Sequence, residues 1–329
     1  MQDTKIIQRI ATKLREHPIH VKMFSLRYRK EFDITEEDII EEDYRQYKKE
    51  NPKPFVKWVG GKRQLAKQFR DLDLYPPDEF NPETGTYFEP FVGGGAMFFD
   101  LLPKKAILSD LNSELTTAFN IIKENVLDLI KALRKHKQKN NKEYFLKVRA
   151  QNIAKLSNLE IAARFIYLNR TCFNGMYRVN KSGGFNVPFG KYENPLICDE
   201  KNLLKINEKL KGIKILNEDY KKALEKAKKG DFVYFDPPYY PINATSSFTS
   251  YTKEGFLKKE QTELRDTFLK LHKKGCFVML SNSDTPFIKN LYSNLDKKIS
   301  INNIYASRAI NSNASKRGKI KEVVVINYQ

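Results

Sequence analysis

From residue 52 onward, short apolar runs alternate with longer amphipathic stretches. Apolar runs rich in β-branched and aromatic residues predict strands, and stretches with a period of about 3.6 residues predict helices. AMFFDLL predicts the start of one helix, and LNSELTTAFNIIKENVLDLIKALRKH predicts one long helical stretch. This alternation predicts an α/β sheet with helices on both faces. The predicted strands lie in TYFEP (ending at Glu89), AILSD (106–110), IKILNED, GDFVYFDPPY and CFVMLSNSD, and in a closing pair, KISINNIYA and KEVVVINY.

Two regions depart from this alternation. Residues 1–51 are densely charged, and the period of IIQRIATKLREH predicts a small helical extension, with a DNA- or partner-binding element as the alternative. Residues 131–205 interleave asparagine, glycine, arginine and aromatic residues, and VNKSGGFNV predicts a hairpin that turns at residues 182–184. The sequence therefore predicts an extension (1–51), a main domain (52–130 and 206–329) and a smaller inserted helical and hairpin domain (131–205).

Composition narrows the class of protein. Of the 329 residues, 40% are hydrophobic, which favours a packed core over disorder. The net charge of +19 favours nucleic acid as a partner, with a merely basic protein as the alternative. Three widely spaced cysteines and four histidines lie in no disulfide, triad or metal-ligand pattern, so no metal is expected. No apolar run approaches the roughly 20 residues that a membrane span needs, and the first residues have no apolar core of signal-peptide length. The sequence therefore predicts a cytoplasmic protein without a membrane segment.

The first segment with candidate chemistry is EPFVGGG (89–95), which follows a predicted strand and precedes a predicted helix. Glycines there let the backbone approach a ligand closely, and ligands of open α/β sheets bind at the carboxyl ends of strands. Phe98 stands where the dinucleotide motif has its third glycine, which favours a smaller nucleoside ligand. Asp110 ends the next strand, where a carboxylate accepts hydrogen bonds from ribose hydroxyls, caps the following helix, or does both.

The second segment, Asp236-Pro237-Pro238-Tyr239, follows the strand FVYF and is the most specific pattern in the chain. It suits methyl transfer to an exocyclic amine of a base, whose lone pair is delocalised into the ring. Hydrogen bonds from that amine to the Asp236 carboxylate and the Pro237 carbonyl would draw the nitrogen toward tetrahedral geometry and free the lone pair. The prolines stiffen the loop, and Tyr239 can stack on the base. A proline-rich turn after a buried strand is the alternative.

The third segment, FVKWVGGK (55–62), holds the only tryptophan of the chain, Trp58. It is not a phosphate-binding loop, because Arg63 follows Lys62 and the first glycine of that motif is missing. Two glycines beside a tryptophan instead predict a loop that closes over a ligand or DNA.

In this order, K-W-x-G-G-K, E-P-F-x-G-G-G and D-P-P-Y resemble the Dam-type (α-class, D12) S-adenosylmethionine-dependent adenine-N6 DNA methyltransferases. The resemblance extends from Pro52 to Gln329. It implies a Rossmann-like methyltransferase sheet, S-adenosylmethionine as cofactor, and a catalytic loop of Asp236, Pro237, Pro238 and Tyr239. The implied cofactor pocket comprises Trp58, Gly60, Lys62, Glu89, Phe91, Gly93, Asp110, Asp219 and Asp236.

The insert is similar to the hairpin of family members that recognise GATC, in NR (169–170), FNGMYRVN (173–180) and FNVPFGKY (185–192). By that resemblance Arg178 reads a guanine, with a phosphate contact as the alternative, and the Phe173 ring wedges into the base stack. FTSYTKEGF (248–256) and the basic stretch 308–319 resemble further loops that face DNA. The implied DNA-binding residues are Lys62, Arg170, Phe173, Asn174, Met176, Arg178, Asn180, Pro188, Tyr192, Ser250, Ser315 and Arg317.

The resemblance implies transfer of a methyl group to N6 of adenine in double-stranded GATC, with the target base flipped out of the helix. Double-stranded DNA is the expected partner, and a cognate restriction endonuclease would be a functional partner. Three alternatives stay open: a different DNA sequence, an RNA or protein substrate, and an inactive protein of methyltransferase descent that binds DNA by sequence. Restriction-modification and a solitary regulatory role are equally compatible with the sequence.

Overall fold

The computed structural model describes residues 51–58, 60, 62–180, 183–242, 256–307 and 319–328. The predicted N-terminal extension, apart from its last residue, lies outside the described residues. Within the described part, one sheet contains seven strands in the order β3-β2-β1-β4-β5-β7-β6. Each corresponds to a predicted strand, in places shortened. The strands are β1 (Tyr87–Glu89), β2 (Ala106–Ser109), β3 (Lys214–Leu216), β4 (Phe232–Phe235), β5 (Phe277–Ser283), β6 (Ser300–Ser307) and β7 (Lys319–Ile326).

The direction of the strands fixes where a ligand can bind. The strands β3, β2, β1, β4 and β5 are parallel, and β7 lies antiparallel between β5 and β6. Glu89 ends β1, while Asp110 and Asp236 directly follow β2 and β4. Because these three strands are neighbours, their carboxyl ends bring the three carboxylates to the same edge of the sheet.

Helices connect the strands, and three of them, the second, third and fourth along the chain, lie in the two predicted helical stretches. The predicted long helical stretch is wrong in one respect, because it is broken into two helices at Asn125, whose φ of -143° is not helical. Asparagine competes for backbone hydrogen bonds and favours such breaks. The helices are α1 (Arg63–Asp71), α2 (Ala96–Leu101), α3 (Ser113–Glu124), α4 (Val126–Lys139), α5 (Lys142–Arg149), α6 (Asn158–Thr171), α7 (Glu200–Leu210), α8 (Tyr220–Ala223), α9 (Lys258–Lys273) and α10 (Pro286–Tyr292).

Two buried layers of apolar side chains lie on opposite faces of the sheet. In β4, Phe232 and Tyr234 join the layer with α2, α3, α4, α6 and α7, whereas Val233 and Phe235 join the layer with α8, α9 and α10. Successive residues of a strand point to opposite faces, so this alternation shows that both faces are covered. The predicted Rossmann-like α/β sheet with helices on both faces is confirmed.

The inserted region consists of helices that pack on α3 and end in the predicted hairpin. α6 runs against α3, α4 and α5. Val179 pairs antiparallel with Phe185, and the Asn180 N–H donates to the Gly184 carbonyl at 2.9 Å. The predicted domain boundaries, 130/131 and 205/206, fall inside α4 and α7. The division into domains therefore stays a prediction.

Among the residues that the structure describes, no helix is both long enough and apolar enough to span a membrane.

Candidate active site

The glycine loop after β1 is fixed to the acidic residue after β2. The Gly93 N–H donates to Asp110 Oδ2 at 3.1 Å, and the Asn112 N–H donates to Oδ1 at 2.9 Å. Asn112, not Asp110, caps α3, because its side chain accepts from the Leu115 N–H. Burial raises the pKa of Asp110, and the backbone hydrogen bonds oppose that rise. The Asp110 carboxylate is thus held beside the glycine loop, and Asn112 caps the helix.

The indole of Trp58 covers the glycine loop. A Cβ atom added at Gly93 would lie 2.6 Å from both Cδ1 and Nε1 of the indole, far closer than atoms can approach. The φ of +46° at this position also favours glycine. The first and third sequence segments therefore form one structure, as a loop that closes over a ligand requires.

Glu89 is a buried carboxyl group inside the site. The Tyr87 hydroxyl and the Phe98 N–H both donate to its Oε2, at 2.9 and 3.0 Å. Burial raises the pKa of Glu89 to about 8, the Tyr87 and Phe98 hydrogen bonds lower it, and the nearby Asp236 raises it further. With both donors on one oxygen, Oε1 can carry a proton at neutral pH. A protonated Glu89 avoids two adjacent negative charges beneath the catalytic loop.

Lys62 forms an ion pair with Asp236 at the centre of the predicted catalytic loop. Its Nζ lies 2.8 Å from Asp236 Oδ1, 2.9 Å from the Gly60 carbonyl and 4.7 Å from the centre of the Tyr239 ring. The Lys62 side chain is almost completely buried. Burial raises the pKa of Asp236, and the charge of Lys62 lowers it. The ammonium group therefore favours the carboxylate form that accepts hydrogen bonds from an amine.

The predicted catalytic loop is held by polar residues that no sequence motif identifies. Gln261 of α9 donates to the Pro238 carbonyl at 3.0 Å. Asn282 of β5 accepts from the Tyr240 N–H and donates to Gln261. The Tyr239 hydroxyl donates to Glu322 Oε2 of β7 at 2.9 Å. These partners come from distant parts of the chain and belong to no local motif, so only the fold reveals them.

The hairpin presents several predicted DNA-binding side chains at the surface. The Phe173 ring is 49% exposed although it is large and apolar. Arg178 is exposed, and its Nε donates to Asn186 Oδ1 at 2.8 Å. Asn180 and Pro188 are exposed, and the three remaining hairpin residues are partly buried: Asn174, Met176 and Tyr192.

Other predicted site residues have mainly internal partners. Arg170 Nε donates to the Phe55 carbonyl at 3.0 Å, and burial lowers its pKa. Asp219 is exposed and accepts from the Lys221 N–H at the start of α8. Phe91 packs on Tyr220. Ser250, Ser315 and Arg317 lie outside the described residues.

A buried asparagine, Asn169, which belongs to the NR pair of the resemblance but had no role assigned to it, ties the Trp58 segment to the hairpin. Asn169 Oδ1 accepts from the Lys57 N–H at 2.8 Å, and its Nδ2 donates to the carbonyls of Lys57 and Gly175 at 2.8 and 2.9 Å. All hydrogen-bonding groups of this side chain are therefore used. Lys57 Nζ in addition lies over the Tyr192 ring at 4.3 Å.

No group of three or more histidine, cysteine, aspartate or glutamate side chains forms a metal-binding cluster within the described ranges.

The fold and site together define a Rossmann-like methyltransferase, with a glycine loop after β1, an acidic residue after β2 and Asp-Pro-Pro-Tyr after β4. Residues 58–310 match the model of the D12 class of N6 adenine-specific DNA methyltransferases. The chain belongs to this family and is an adenine-specific DNA methyltransferase.

Individual relatives agree with this assignment over most of the chain. A type II methyltransferase, M1.LlaDCHI of Lactococcus lactis subsp. cremoris, is 47% identical over 289 residues, covering 86% of this chain and 98% of the relative. M.MjaIII of Methanocaldococcus jannaschii, also named a type II methyltransferase, is 41% identical over 292 residues, covering 84% and 99%. A DNA adenine methylase of Vibrio cholerae is 32% identical over 275 residues, covering 83% and 95%.

Proposed function

We propose that this enzyme transfers a methyl group from S-adenosylmethionine to N6 of the adenine in double-stranded GATC, after flipping that base out of the helix. The observation that carries the proposal is the position of Asp236-Pro237-Pro238-Tyr239 at the carboxyl end of β4, beside Glu89 and Asp110 on the neighbouring strands. Acceptors for an amine and a nucleoside-binding edge therefore share one site.

The residues at this edge fit S-adenosylmethionine. The loop at Gly93 has no room for a side chain beneath Trp58, and backbone N–H groups direct the Asp110 carboxylate. We assign the ribose hydroxyls to Asp110 and the cofactor's adenine to the surface between Phe91 and Asp219. Trp58, Gly60, Lys62 and Glu89 complete the pocket. When bound, this cofactor supplies an electrophilic methyl group on a positively charged sulfur.

The protein's part in the reaction is to prepare and hold the amine. Asp236 and the Pro237 carbonyl accept its two N–H groups, so the nitrogen lone pair is directed toward the methyl carbon. Bound S-adenosylmethionine would supply the methyl carbon and keep the electron pair of its C–S bond on sulfur, and the methylated nitrogen held at Asp236 would release one proton to solvent. Gln261 donates to the Pro238 carbonyl, so the acceptor that this proposal assigns to the amine is the preceding carbonyl, that of Pro237.

Recognition falls to the hairpin. Exposed Phe173 suits a wedge that takes the place of the flipped base, and exposed Arg178 suits donation to a guanine. Arg170 supports the loop at Phe55 in this proposal in addition to any contact with DNA. A different target sequence, recognised by the same hairpin, is the second candidate.

Restriction protection tests the proposal. Purified enzyme and S-adenosylmethionine are incubated with unmethylated plasmid, which is then digested with one endonuclease that GATC adenine methylation blocks and another that requires it. Resistance to the first and cutting by the second are expected. Incorporation of labelled methyl without either change would contradict the GATC assignment and leave the chemistry intact. If no duplex is labelled, transfer to DNA by this site is excluded.

The biological context is also a proposal. The names of the two more similar relatives, both type II methyltransferases, favour a role beside a cognate restriction endonuclease. We propose that this role is carried out in the cytoplasm. Such a role predicts that loss of the methyltransferase in its native host exposes GATC sites to cleavage. Loss of a solitary methyltransferase would leave the DNA of the host uncut.

A further inference from the structure

Tyr177 lies between the parts of the molecule that the proposed function assigns to cofactor and to DNA, and it directly precedes Arg178. Its hydroxyl donates a hydrogen bond to Glu114 Oε1 at 2.7 Å. Its ring stacks on Trp58, with centroids 6.0 Å apart and planes 23° apart. The Trp58 indole in turn covers Gly93. The Tyr177 side chain therefore links the hairpin to α3 and to the indole above the glycine loop.

The acceptor of this hydrogen bond is fixed in place. Glu114 lies buried in the first turn of α3, and its Oε2 pairs with Arg164 Nη1 at 2.7 Å. The Arg164 side chain is itself buried and also donates to the carbonyls of Val148 and Arg149. A carboxylate held by a buried guanidinium has little freedom, and a hydrogen bond to it is short and directional. The Tyr177 hydroxyl is thus held in one position relative to α3.

The other contacts of Tyr177 extend into the hairpin. The edge of its ring meets Phe185 with centroids 5.8 Å apart, and Phe185 pairs with Val179 across the hairpin. On the far side of Arg178, the Asn186 N–H donates to the Arg178 carbonyl at 3.0 Å, and Asn186 Oδ1 accepts from the Arg178 guanidinium. The backbone of Arg178 is therefore held from both sides, by Tyr177 and by Asn186.

We propose that Tyr177 is a positioning residue for sequence recognition, and this inference rests on the proposed function. Its hydrogen bond to Glu114 and its stack on Trp58 hold Arg178 where the guanidinium aligns two donors with a base edge. Base reading needs that alignment, whereas contact with a phosphate tolerates displacement. Loss of the hydroxyl consequently weakens discrimination between sequences more than it weakens methyl transfer.

The test compares discrimination in wild type and in Tyr177→Phe. The preferred sequence is first read from wild-type methylation of a duplex library with randomised sites. kcat/KM is then measured on that duplex and on one with a single base pair changed. For Tyr177→Phe the ratio of the two values is expected to fall about tenfold, equivalent to about 1.4 kcal/mol. Cofactor affinity and kcat on the preferred duplex are expected to change by less than about threefold.

Tyr167→Phe is the matched control. Tyr167 is a buried tyrosine of α6 whose hydroxyl donates to Asn140 Oδ1 at 3.0 Å, away from the hairpin. Its variant loses a similar hydrogen bond in the same region and is expected to keep the wild-type ratio. A purely structural role for Tyr177 would lower activity on both duplexes equally and overturn the inference.

Phe185→Leu provides an independent variant, in case Tyr177→Phe does not fold. It removes the ring that packs on Tyr177 and retains the hydroxyl, so a smaller fall in the same ratio is expected. If wild type methylates no duplex, or methylates all sequences equally, the proposed function fails and the inference with it. If wild type discriminates and Tyr177→Phe discriminates equally well, the inference alone fails.

Discussion

The catalytic edge of the sheet and the recognition hairpin place their important side chains in opposite environments. Around the catalytic loop, Glu89 and Lys62 are 3% and 4% exposed. In the hairpin, Phe173 and Arg178 are exposed, while the residues that support them, Asn169 and Glu114, are buried. In the first region the ionisable neighbours of a partly exposed Asp236 are buried, whereas in the second only the supporting residues are buried.

This difference follows from what each region has to do. Chemistry on a weakly nucleophilic amine benefits from a site of low dielectric, where fixed charges and hydrogen bonds act strongly. Reading a base requires side chains that reach into a groove, so few contacts with the rest of the protein can hold them before DNA arrives. Polar groups buried beneath the hairpin supply the rigidity that exposed residues lack.

The largest effect is expected in the catalytic region. Asp236→Ala should reduce methyl transfer by on the order of 10³-fold, because the amine loses its anionic acceptor. Cofactor affinity should stay within a small factor of wild type. Single-turnover transfer of labelled methyl and calorimetric titration of the cofactor measure the two quantities. Asp128→Ala, at a partly exposed carboxylate paired with Lys131 in α4, serves as control. An equal loss of cofactor affinity in Asp236→Ala would show that the role of Asp236 is misassigned.

Glu89→Gln tests whether burial sets the charge of this region. The pKa of Glu89 is about 8 in the folded protein, against an ordinary value of 4.5. At a pH between these two pKa values, the folded protein keeps the Glu89 proton and the unfolded chain has lost it. The contribution of Glu89 to the free energy of unfolding is therefore fully present below the ordinary pKa and is lost as the pH rises to the folded pKa. The variant should lose this decline.

Thermal unfolding measured from about pH 5 to about pH 8 tests this expectation. The free energy of unfolding of the wild type should decline over this range by a few kcal/mol. A glutamine oxygen can accept both hydrogen bonds that now fall on Oε2, so the variant should fold. The exposed Glu143→Gln should keep the wild-type curve. If the stability of wild type and of Glu89→Gln changed with pH in the same way, Glu89 would be ionised in the folded enzyme.

In the hairpin, Arg178→Ala should cost about 1–3 kcal/mol of discrimination at one base pair, since a guanidinium that reads guanine is lost. Competition between duplexes that differ at that pair measures the effect. Arg178→Lys is the informative companion, because it retains the charge and loses the paired donors. A uniform loss on all sequences, restored by lysine, would instead identify a phosphate contact.

The smallest effect concerns the Lys62–Asp236 ion pair. Lys62→Met removes the charge that lowers the pKa of Asp236, so this pKa should rise. The acidic limb of the rate–pH profile should then move to higher pH. Lys57→Met, at an exposed neighbouring lysine, should leave the limb in place. An unmoved limb in Lys62→Met would show that the titrating group is not Asp236.

Local patterns predicted the strands, the glycine loop and the hairpin correctly because each depends on neighbouring residues. The same reasoning missed the break at Asn125, because the hydrophobic period continues through it. Gln261, Asn282 and Glu322 could not be found from the sequence, because their role arises only when α9, β5 and β7 meet the catalytic loop.

The family resemblance named the site residues without their surroundings. Lys62 was expected to touch cofactor and DNA, and the fold places it against Asp236. Arg170 was expected at the DNA, and its Nε is engaged by the Phe55 carbonyl. Motif spacing says which residues matter, whereas burial and partners say how each could act.

The indole over Gly93 gives the protein an optical property. Trp58 is the only tryptophan in 329 residues, so its fluorescence originates at one known point. That point touches the glycine loop on one side and the Tyr177 ring on the other. Emission recorded during a rapid-mixing experiment would therefore time events at the junction of the two regions without any added dye.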